Sequence, residues 1–110
     1  MNKYRNVKTE ISGIKFDSQK EASRFIELKT LEKRGVIEGL KLQVPFVICK
    51  KVEGIKGSRD RKYIADFVYS INGVNYIEDV KSAITRKNPV YTLKKQLVQS
   101  IYREYKFTEY

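Results

Sequence analysis

Residues 63–81 read Tyr-Ile-Ala-Asp-Phe-Val-Tyr-Ser-Ile-Asn-Gly-Val-Asn-Tyr-Ile-Glu-Asp-Val-Lys. The central dipeptide, Asn72-Gly73, lies between two runs rich in β-branched and aromatic residues. Such a pattern is typical of a two-residue type I′ hairpin turn. We therefore predict a hairpin over residues 62–81 in which Ile71 pairs with Val74.

Two carboxylates face each other in this register, because Asp66 lies directly opposite Asp79 and Ile64 lies opposite Lys81. Like charges in that arrangement destabilise a sheet, whereas a divalent cation between them removes the conflict. A slip of one residue would carry every side chain to the other face of the sheet. The register therefore predicts a metal site with Lys81 beside it.

The pattern Asp79-Val-Lys81 is one of four matches to acidic-x-Lys in the chain. The other three begin at Glu27, Asp60 and Glu104, in segments that we predict to be helical, at a helix end or in a loop. Only Asp79 lies in an apolar strand of a predicted hairpin whose other strand places a second carboxylate, Asp66, opposite it. This setting favours a metal site over an arrangement of surface charges.

Length and charge limit the class of protein. A chain of 110 residues with 41% hydrophobic residues is expected to form one domain, residues 1–110. It carries 23 basic against 13 acidic residues, a net charge of +10, which favours a polyanionic partner. We prefer nucleic acid to an anionic membrane, because the basic residues alternate with strand and loop signals instead of lining one helix face. A basic protein without such a partner is the alternative.

Missing residue types narrow the chemistry. The chain has no histidine and a single cysteine, Cys49, which excludes histidine triads, Cys₄ zinc sites and an internal disulfide. Apolar neighbours predict that the Cys49 thiol is buried. There is no phosphate-binding loop motif, so we expect no nucleotide cofactor. Carboxylates remain as metal ligands, and they suit Mg²⁺ or Mn²⁺.

Targeting signals are weak throughout. The start, residues 1–7, has no apolar stretch of signal-peptide length, and no segment reaches the roughly 18 apolar residues of a membrane span. We expect a cytoplasmic protein that does not bind membranes.

The remaining elements are predicted from caps and periodicity. Residues 1–16 are basic and weakly β-prone, with a turn at Ser12-Gly13. A helix should run from Asp17-Ser18 to about Arg34 and end at Gly35. A first strand is expected over about residues 42–52, with Pro45 indicating an edge position or a bulge. A basic loop, residues 54–60, precedes the hairpin.

Both hairpin strands are apolar on both faces, which predicts central strands covered on each side. Pro89 begins a last helix, about residues 90–105. Its apolar stripe contains Val90, Leu93, Leu97 and Ile101, with Val98 and Tyr102 adjacent. Residues 106–110 form a short final strand. The predicted order is helix, three strands, helix, strand, with the sheet between the helices.

With these elements in place, the chain resembles the PD-(D/E)XK nuclease superfamily over about residues 14–106, and most closely its small phage-encoded members, similar in size to Holliday-junction resolvases. The resemblance rests on Phe16-Asp-Ser-Gln-Lys-Glu21, Tyr63-Ile-Ala-Asp-Phe67, Tyr76-Ile-Glu-Asp-Val-Lys81 and Tyr91-Thr-Leu-Lys-Lys95. Ala65 stands where the superfamily is named for proline. The resemblance implies an α/β (α+β) fold with the restriction-endonuclease-like α-β-β-β-α-β core, a mixed central sheet flanked by helices.

The resemblance also implies roles for individual residues. Asp66 and Asp79 would ligate Mg²⁺, and Lys81 would orient or deprotonate the attacking water or stabilise the transition state. A lysine extending from a strand end to solvent is the alternative for Lys81.

Glu21 has two interpretations. Ser18-Gln-Lys-Glu21 is a capping box, yet helical spacing places Glu21 on the stripe of Phe25 and Leu28 that faces the sheet. The resemblance implies an acidic metal-site residue on this helix, so we include Glu21. Glu78 faces away from Asp79 by strand alternation and is expected to be structural.

Basic residues near these segments are candidate phosphate contacts: Lys56, Arg59, Arg61, Lys62, Arg86, Lys87 and Lys94. Lys94 could equally lie on a solvated helix face. The tyrosines are expected in or at the edge of the core rather than stacked on bases: Tyr63, Tyr69, Tyr91 and Tyr102.

Taken together, the resemblance implies a Mg²⁺-dependent DNA endonuclease that leaves 5′-phosphate and 3′-hydroxyl ends. The small size and the lack of a recognition module or motor favour branched DNA such as a Holliday junction. The resemblance implies a role in recombination and a phage or prophage origin. Symmetric cutting requires a homodimer. The alternatives are a non-catalytic DNA-binding module of the same fold and a basic protein that binds other partners.

Overall fold

The computed structural model describes residues 8–110. At its start, β1 (Thr9–Ile11) and β2 (Ile14–Phe16) form an antiparallel hairpin whose turn residues, Ser12 and Gly13, have positive φ. The turn predicted at this dipeptide is confirmed. The expectation for residues 1–7 lies outside the described residues.

Helix α1 (Gln19–Lys33) has the predicted boundaries. The Ser18 hydroxyl accepts a hydrogen bond from the Glu21 amide at 3.1 Å, which satisfies one of the free donors of the first turn. Gly35 follows the helix with φ +77°, the left-handed conformation in which glycine commonly ends a helix.

Four strands form the main sheet in the order β3 (Glu38–Cys49), β4 (Arg61–Ile71), β5 (Val74–Asp79) and β6 (Tyr105–Glu109). The pairs β3–β4 and β4–β5 are antiparallel, and β6 runs parallel to β5. The predicted hairpin register is confirmed from the Ile71–Val74 pair to the Phe67–Glu78 pair. The fold is therefore mixed α and β, and β3 is an edge strand within the described chain, as Pro45 indicated.

The segment before the last helix contains a short helix that was not predicted, α2 (Ala83–Arg86). Helix α3 (Pro89–Ile101) begins as expected, with Asn88 as its cap, but ends before residue 105 because Tyr105 begins β6. Its predicted apolar stripe is partly wrong. Val90, Leu93 and Ile101 are 61%, 59% and 48% exposed, and Tyr91, outside the stripe, is buried. The predicted burial of Leu97 and Val98 is confirmed, partly for Leu97 and fully for Val98.

The core has two parts, one on each side of the sheet. Phe67 and Tyr69 pack with the buried face of α1, while Val68 between them packs with the cluster that contains Tyr91 and Val98 of α3. Neighbouring residues of a strand point to opposite faces. The sheet therefore lies between α1 and α3, as predicted.

Along β3 and β4, the alternation of side chains between the two faces of the sheet is broken at one step, which we call the exchange of faces. Leu42 packs on the α1 side, but Val44 packs on the α3 side, although regular alternation would keep both on the same face. The same exchange occurs on β4 between Ala65 and Phe67. The backbone pairs Leu42–Phe67 and Val44–Ala65 are both present. The exchange therefore falls on Gln43, which has φ +52°, and on Asp66, directly across from it.

Two further findings concern the surface. Cys49 is exposed, so the predicted burial of its thiol is wrong. It is the last residue of the edge strand, and alternation places it opposite the buried Ile48. None of the helices in residues 8–110 combines the length and the hydropathy needed to cross a membrane.

Candidate active site

The site begins where the β4–β5 ladder ends. Regular pairing of β4 with β5 stops at Phe67–Glu78, so neither Asp66–Asp79 nor Ile64–Lys81 is a backbone pair, and Lys81 lies beyond the end of β5. The two aspartates join the strands through their side chains. The Asp66 amide donates to Asp79 Oδ1, and the Val80 amide donates to Asp66 Oδ2, each at 2.9 Å.

These bonds explain why the register prediction was only partly correct at this point. Each carboxylate takes the place of a ladder carbonyl as acceptor, and the predicted pairs beyond Phe67–Glu78 do not form. The two carboxylates are nevertheless brought together as the hairpin predicted. Each is held by a buried backbone amide, which fixes its orientation.

Lys81 lies beside both carboxylates. Its Nζ is 3.3 Å from Asp66 Oδ2 and 3.7 Å from Asp79 Oδ1, and it lies 5.6 Å from the centre of the Tyr91 ring. The side chain retains 22% exposure, so a molecule at the surface can reach the ammonium. Lys81 is thus both an ion-pair partner of the aspartates and an accessible cation.

Asp79 is the most deeply buried carboxylate of the site, with no exposed surface. Burial raises the pKa of Asp79, and the Lys81 ammonium offsets this only in part. Its second oxygen, Oδ2, has no hydrogen-bond partner among the described residues. A buried acceptor without a partner is costly, and this oxygen is therefore available to a cation.

Glu21 reaches the site from the first turn of α1. It is 5% exposed, and its Oε1 accepts a hydrogen bond from Gln43 Nε2 at 3.1 Å; the same nitrogen lies 3.5 Å from Asp66 Oδ1. Burial, followed by the negative charges of Asp66 and Asp17, raises the pKa of Glu21 to about 7. The carboxylate therefore points toward the sheet and is more than a helix cap.

Glu78 occupies the opposite face, as expected. Its carboxylate receives two hydrogen bonds from Arg24, at 2.6 and 2.9 Å, and one from the Tyr69 hydroxyl at 2.7 Å. Burial, together with the bond to Glu78, raises the pKa of Tyr69 to about 12. Glu78 is fully engaged in joining α1 to the sheet.

A second network borders the site. The Tyr91 hydroxyl donates to Glu109 Oε2 at 2.6 Å, and Lys95 Nζ contacts Glu109 Oε1 at 3.3 Å. Burial alone would raise the pKa of Glu109, but the bonds from Tyr91 and Lys95 lower it overall. This network fixes the Tyr91 ring beside Lys81.

Two surface pockets share Lys81. One, of about 240 Å³, is lined by Ser18, Lys20, Val80, Ser82 and Thr85 in addition to Lys81. The other, of about 330 Å³, contains Asp79 and Lys81 together with two of the predicted phosphate contacts, Lys62 and Lys94. Arg86 is close enough for its charge to lower the pKa of Glu109. The other predicted contacts are exposed and line neither pocket: Lys56, Arg59, Arg61 and Lys87.

The carboxylates of the site suit a divalent cation that takes part of its ligands from outside the protein. Within residues 8–110, no three carboxylate, histidine or cysteine side chains are arranged as a complete metal-binding group. Asp66 and Asp79 are adjacent, whereas Glu21 is connected to Asp66 through the Gln43 amide. Mg²⁺ commonly uses one or two carboxylates and takes its other ligands from water or phosphate. The oxygen donors and the unpartnered Asp79 Oδ2 therefore fit such an ion.

The comparisons with known proteins give a family. A family model described as "Protein of unknown function (DUF1064)" matches residues 1–109. The chain belongs to that family. No curated protein and no solved structure matches it.

In this DUF1064 chain, sequence reasoning missed two participants in the site. Gln43 carries no local signal, because its contacts depend on the pairing of β3 with β4 and on the position of α1. Glu109 belongs to a strand added beside β5 from the end of the chain, so only the sheet order reveals that it approaches Tyr91. Tyr63, Tyr69 and Tyr91 are buried and Tyr102 is partly buried, as predicted.

Proposed function

We propose that the chain is a Mg²⁺- or Mn²⁺-dependent endonuclease that hydrolyses DNA phosphodiester bonds on a restriction-endonuclease-like core. The observation that carries the proposal is the buried Asp66–Asp79 pair, with the Lys81 ammonium within 3.3 and 3.7 Å of the two carboxylates. The unpartnered Asp79 Oδ2 supports it further. Buried acceptors in folded proteins are usually hydrogen-bonded, so this oxygen lacks a partner that a cation could supply.

The order of elements supports the same proposal. Helix α1, strands β3 to β5, helix α3 and strand β6 follow one another along the chain, and β6 joins the sheet in parallel. That is the α-β-β-β-α-β order implied by the resemblance. The hairpin β1–β2 and helix α2 are additions to it.

The residues of this chain would divide the chemistry as follows. Asp66 and Asp79 would hold the cation together with Glu21, which Gln43 links to Asp66. The cation would lower the pKa of water and neutralise charge on the phosphate. Lys81 would place its positive charge at the reacting phosphate, where developing negative charge is stabilised. Tyr91 and its bond to Glu109 keep the floor of the site beside Lys81 in one position.

A path for the nucleic acid follows from the two pockets that share Lys81. Lys20 lines one pocket, and Lys62 and Lys94 line the other, so a DNA backbone lying across both would meet cations before and after the reacting phosphate. Backbone contacts of this kind position DNA without reading its sequence. We therefore propose a structure-specific enzyme, with branched DNA such as a four-way junction as the preferred substrate.

Cutting both strands of a junction would require two copies of the chain. The exposed apolar residues on α3, Val90, Leu93 and Ile101, are candidates for contact between the copies. We propose a homodimer, and sedimentation at micromolar concentration distinguishes it from a monomer.

The test of activity is cleavage of labelled four-way junction, flap, duplex and single-stranded DNA, with and without Mg²⁺ or Mn²⁺. Wild type is compared with Asp79→Asn and with Asp60→Asn, a matched control because Asp60 heads an acidic-x-Lys pattern outside the site. Metal-dependent cutting by wild type and Asp60→Asn, but not by Asp79→Asn, supports the proposal.

Two results would overturn it. Cutting that survives Asp79→Asn would point to a contaminating nuclease, since all three proteins are purified in the same way. Tight DNA binding without cutting by any of them would identify the non-catalytic module.

A further inference from the structure

Gln43 has a backbone conformation that its position in a strand does not explain. Three non-glycine residues among residues 8–110 have positive φ: Ser12, Gln43 and Asn72. Ser12 and Asn72 lie in two-residue hairpin turns, where this conformation is required. Gln43 lies within β3, where extended backbone is the rule, and a left-handed conformation there costs free energy for any residue with a Cβ.

With this backbone conformation, the side-chain amide of Gln43 contacts two carboxylates. The amide nitrogen lies 3.1 Å from Glu21 Oε1 and 3.5 Å from Asp66 Oδ1, and so connects a carboxylate of α1 to a carboxylate of β4. The exchange of faces between Leu42 and Val44 places Gln43 directly across from Asp66. Glycine would adopt the same backbone at lower cost, but it could not make these contacts.

An amide suits this position better than a cation would. Its NH₂ group offers two hydrogens, so it can hold two like-charged carboxylates near each other. It carries no charge, so it does not neutralise them. A lysine or arginine at position 43 would compete with a metal ion for the same oxygens, whereas glutamine leaves their negative charge in place.

We propose that Gln43 is a positioning residue that holds the Glu21 carboxylate near Asp66, so that Glu21 can join Asp66 and Asp79 in binding one divalent cation. The proposal rests on the proposed function only in taking these carboxylates as a cation site. It assigns Gln43 no contact with DNA.

The experiment measures the affinity of the metal-free protein for Mn²⁺ alone, by calorimetry or by electron paramagnetic resonance, together with thermal unfolding in EDTA. Gln43→Gly removes the amide and relieves the backbone, and Gln43→Asn keeps an amide but shortens its reach. Ser12→Gly is the control, because it relieves the same backbone conformation in the β1–β2 turn. We expect about 10-fold weaker Mn²⁺ binding for both Gln43 variants, typical of losing a group that orients a ligand.

Stability should move in the opposite direction. The unfolding temperature of Gln43→Gly in EDTA should equal or exceed that of wild type, and Ser12→Gly should bind Mn²⁺ as wild type does. At saturating Mn²⁺, DNA cleavage by Gln43→Gly should return to nearly the wild-type rate, because the residue does not touch the substrate.

Three results would overturn the proposal. If Gln43→Gly bound Mn²⁺ as tightly as wild type, Gln43 would have no positioning role. The cation site itself would still stand if substitution of Asp79 weakened Mn²⁺ binding. Weaker Mn²⁺ binding matched by an equal loss in Ser12→Gly would indicate a general effect of backbone relief. Absence of Mn²⁺ binding by wild type would remove both the positioning role and the metal-dependent function. If the Gln43 variants bound Mn²⁺ more weakly, as expected, but wild type cut no DNA, the positioning role would be supported and the proposed nuclease activity would not.

Discussion

Glu78 and Asp79 are neighbours on β5, both are almost completely buried, and yet their surroundings differ in kind. Glu78 faces α1 and receives three hydrogen bonds of 2.6–2.9 Å from Arg24 and Tyr69. Asp79 faces the other way, shares Lys81 with Asp66, and has one oxygen without a partner among the described residues. The fold pairs the Glu78 carboxylate fully and the Asp79 carboxylate only in part.

Glu78 and Asp79 illustrate two roles of a buried carboxylate, one in stability and one in function. A carboxylate held by a two-pronged arginine stabilises the packing of a helix on a sheet, and its loss should be felt in stability. A carboxylate whose pKa is raised by burial destabilises the fold while it remains ionised. Such a cost is common at functional sites, where stability is exchanged for chemistry.

The largest expected effect comes from Asp79→Asn, which removes the charge and keeps the shape. DNA cleavage should fall about a thousandfold or more, since a Lewis-acid metal contributes several kcal/mol to the barrier. The unfolding free energy in EDTA should stay the same or increase, because a neutral amide avoids the burial cost. Single-turnover cleavage and urea unfolding measure the two. A loss of both activity and stability would place Asp79 in the same class as Glu78.

Glu78→Gln should give the reverse outcome. The unfolding free energy should fall by about 2–3 kcal/mol, because Arg24 loses its buried partner. Mn²⁺ binding by the folded fraction should not change. Glu27→Gln is the control, since Glu27 also approaches Arg24, at 3.8 Å, but is 51% exposed; its effect should stay below about 0.5 kcal/mol. Impaired Mn²⁺ binding in Glu78→Gln would contradict the separation of the two faces.

The raised pKa of Glu21 predicts how the unfolding free energy depends on pH. Its pKa is raised from 4.5 to about 7 in the folded protein, so between these pH values the folded state binds more protons than the unfolded state. The unfolding free energy of the metal-free protein should therefore fall as pH rises from about 4.5 to 7. Glu21→Gln should remove about 1–3 kcal/mol of this fall.

Urea unfolding in EDTA at pH 5 and 7.5 tests this expectation. Glu53→Gln, at an exposed loop carboxylate, is the control and should keep the wild-type pH dependence. A remaining fall in Glu21→Gln is expected, because the pKa of Asp79 is shifted in the same direction. If Glu21→Gln kept the whole wild-type fall, Glu21 would be too solvated to act beside the aspartates.

The same contrast explains how far the sequence could predict the molecule. Asn72-Gly73 sets the hairpin register locally, and Ser18 and Gly35 set the ends of α1, so these features follow from neighbouring residues. Arg24, the partner of Glu78, and Gln43, the partner of Glu21, are 54 and 22 residues away along the chain, and no local pattern predicts these contacts. The stripe on α3 was misplaced because the helix turns Tyr91 inward, toward Lys81 and Glu109, and leaves Val90 in solvent.

The smallest effect concerns the charges around the site. Lys62 and Lys94 line the pocket with Asp79 and Lys81, whereas Lys15 and Lys33 are exposed residues that line neither of the pockets sharing Lys81. If the DNA backbone crosses the site, the double variant Lys62→Gln/Lys94→Gln should reduce the slope of log affinity against log salt by about 2, one for each phosphate contact. Lys15→Gln/Lys33→Gln removes the same net charge and should leave that slope nearly unchanged. Fluorescence anisotropy in Ca²⁺, chosen to limit cutting, measures both variants over a salt series. Equal slopes for the two double variants would mean that affinity follows the overall charge of +10 and not a path across the carboxylates.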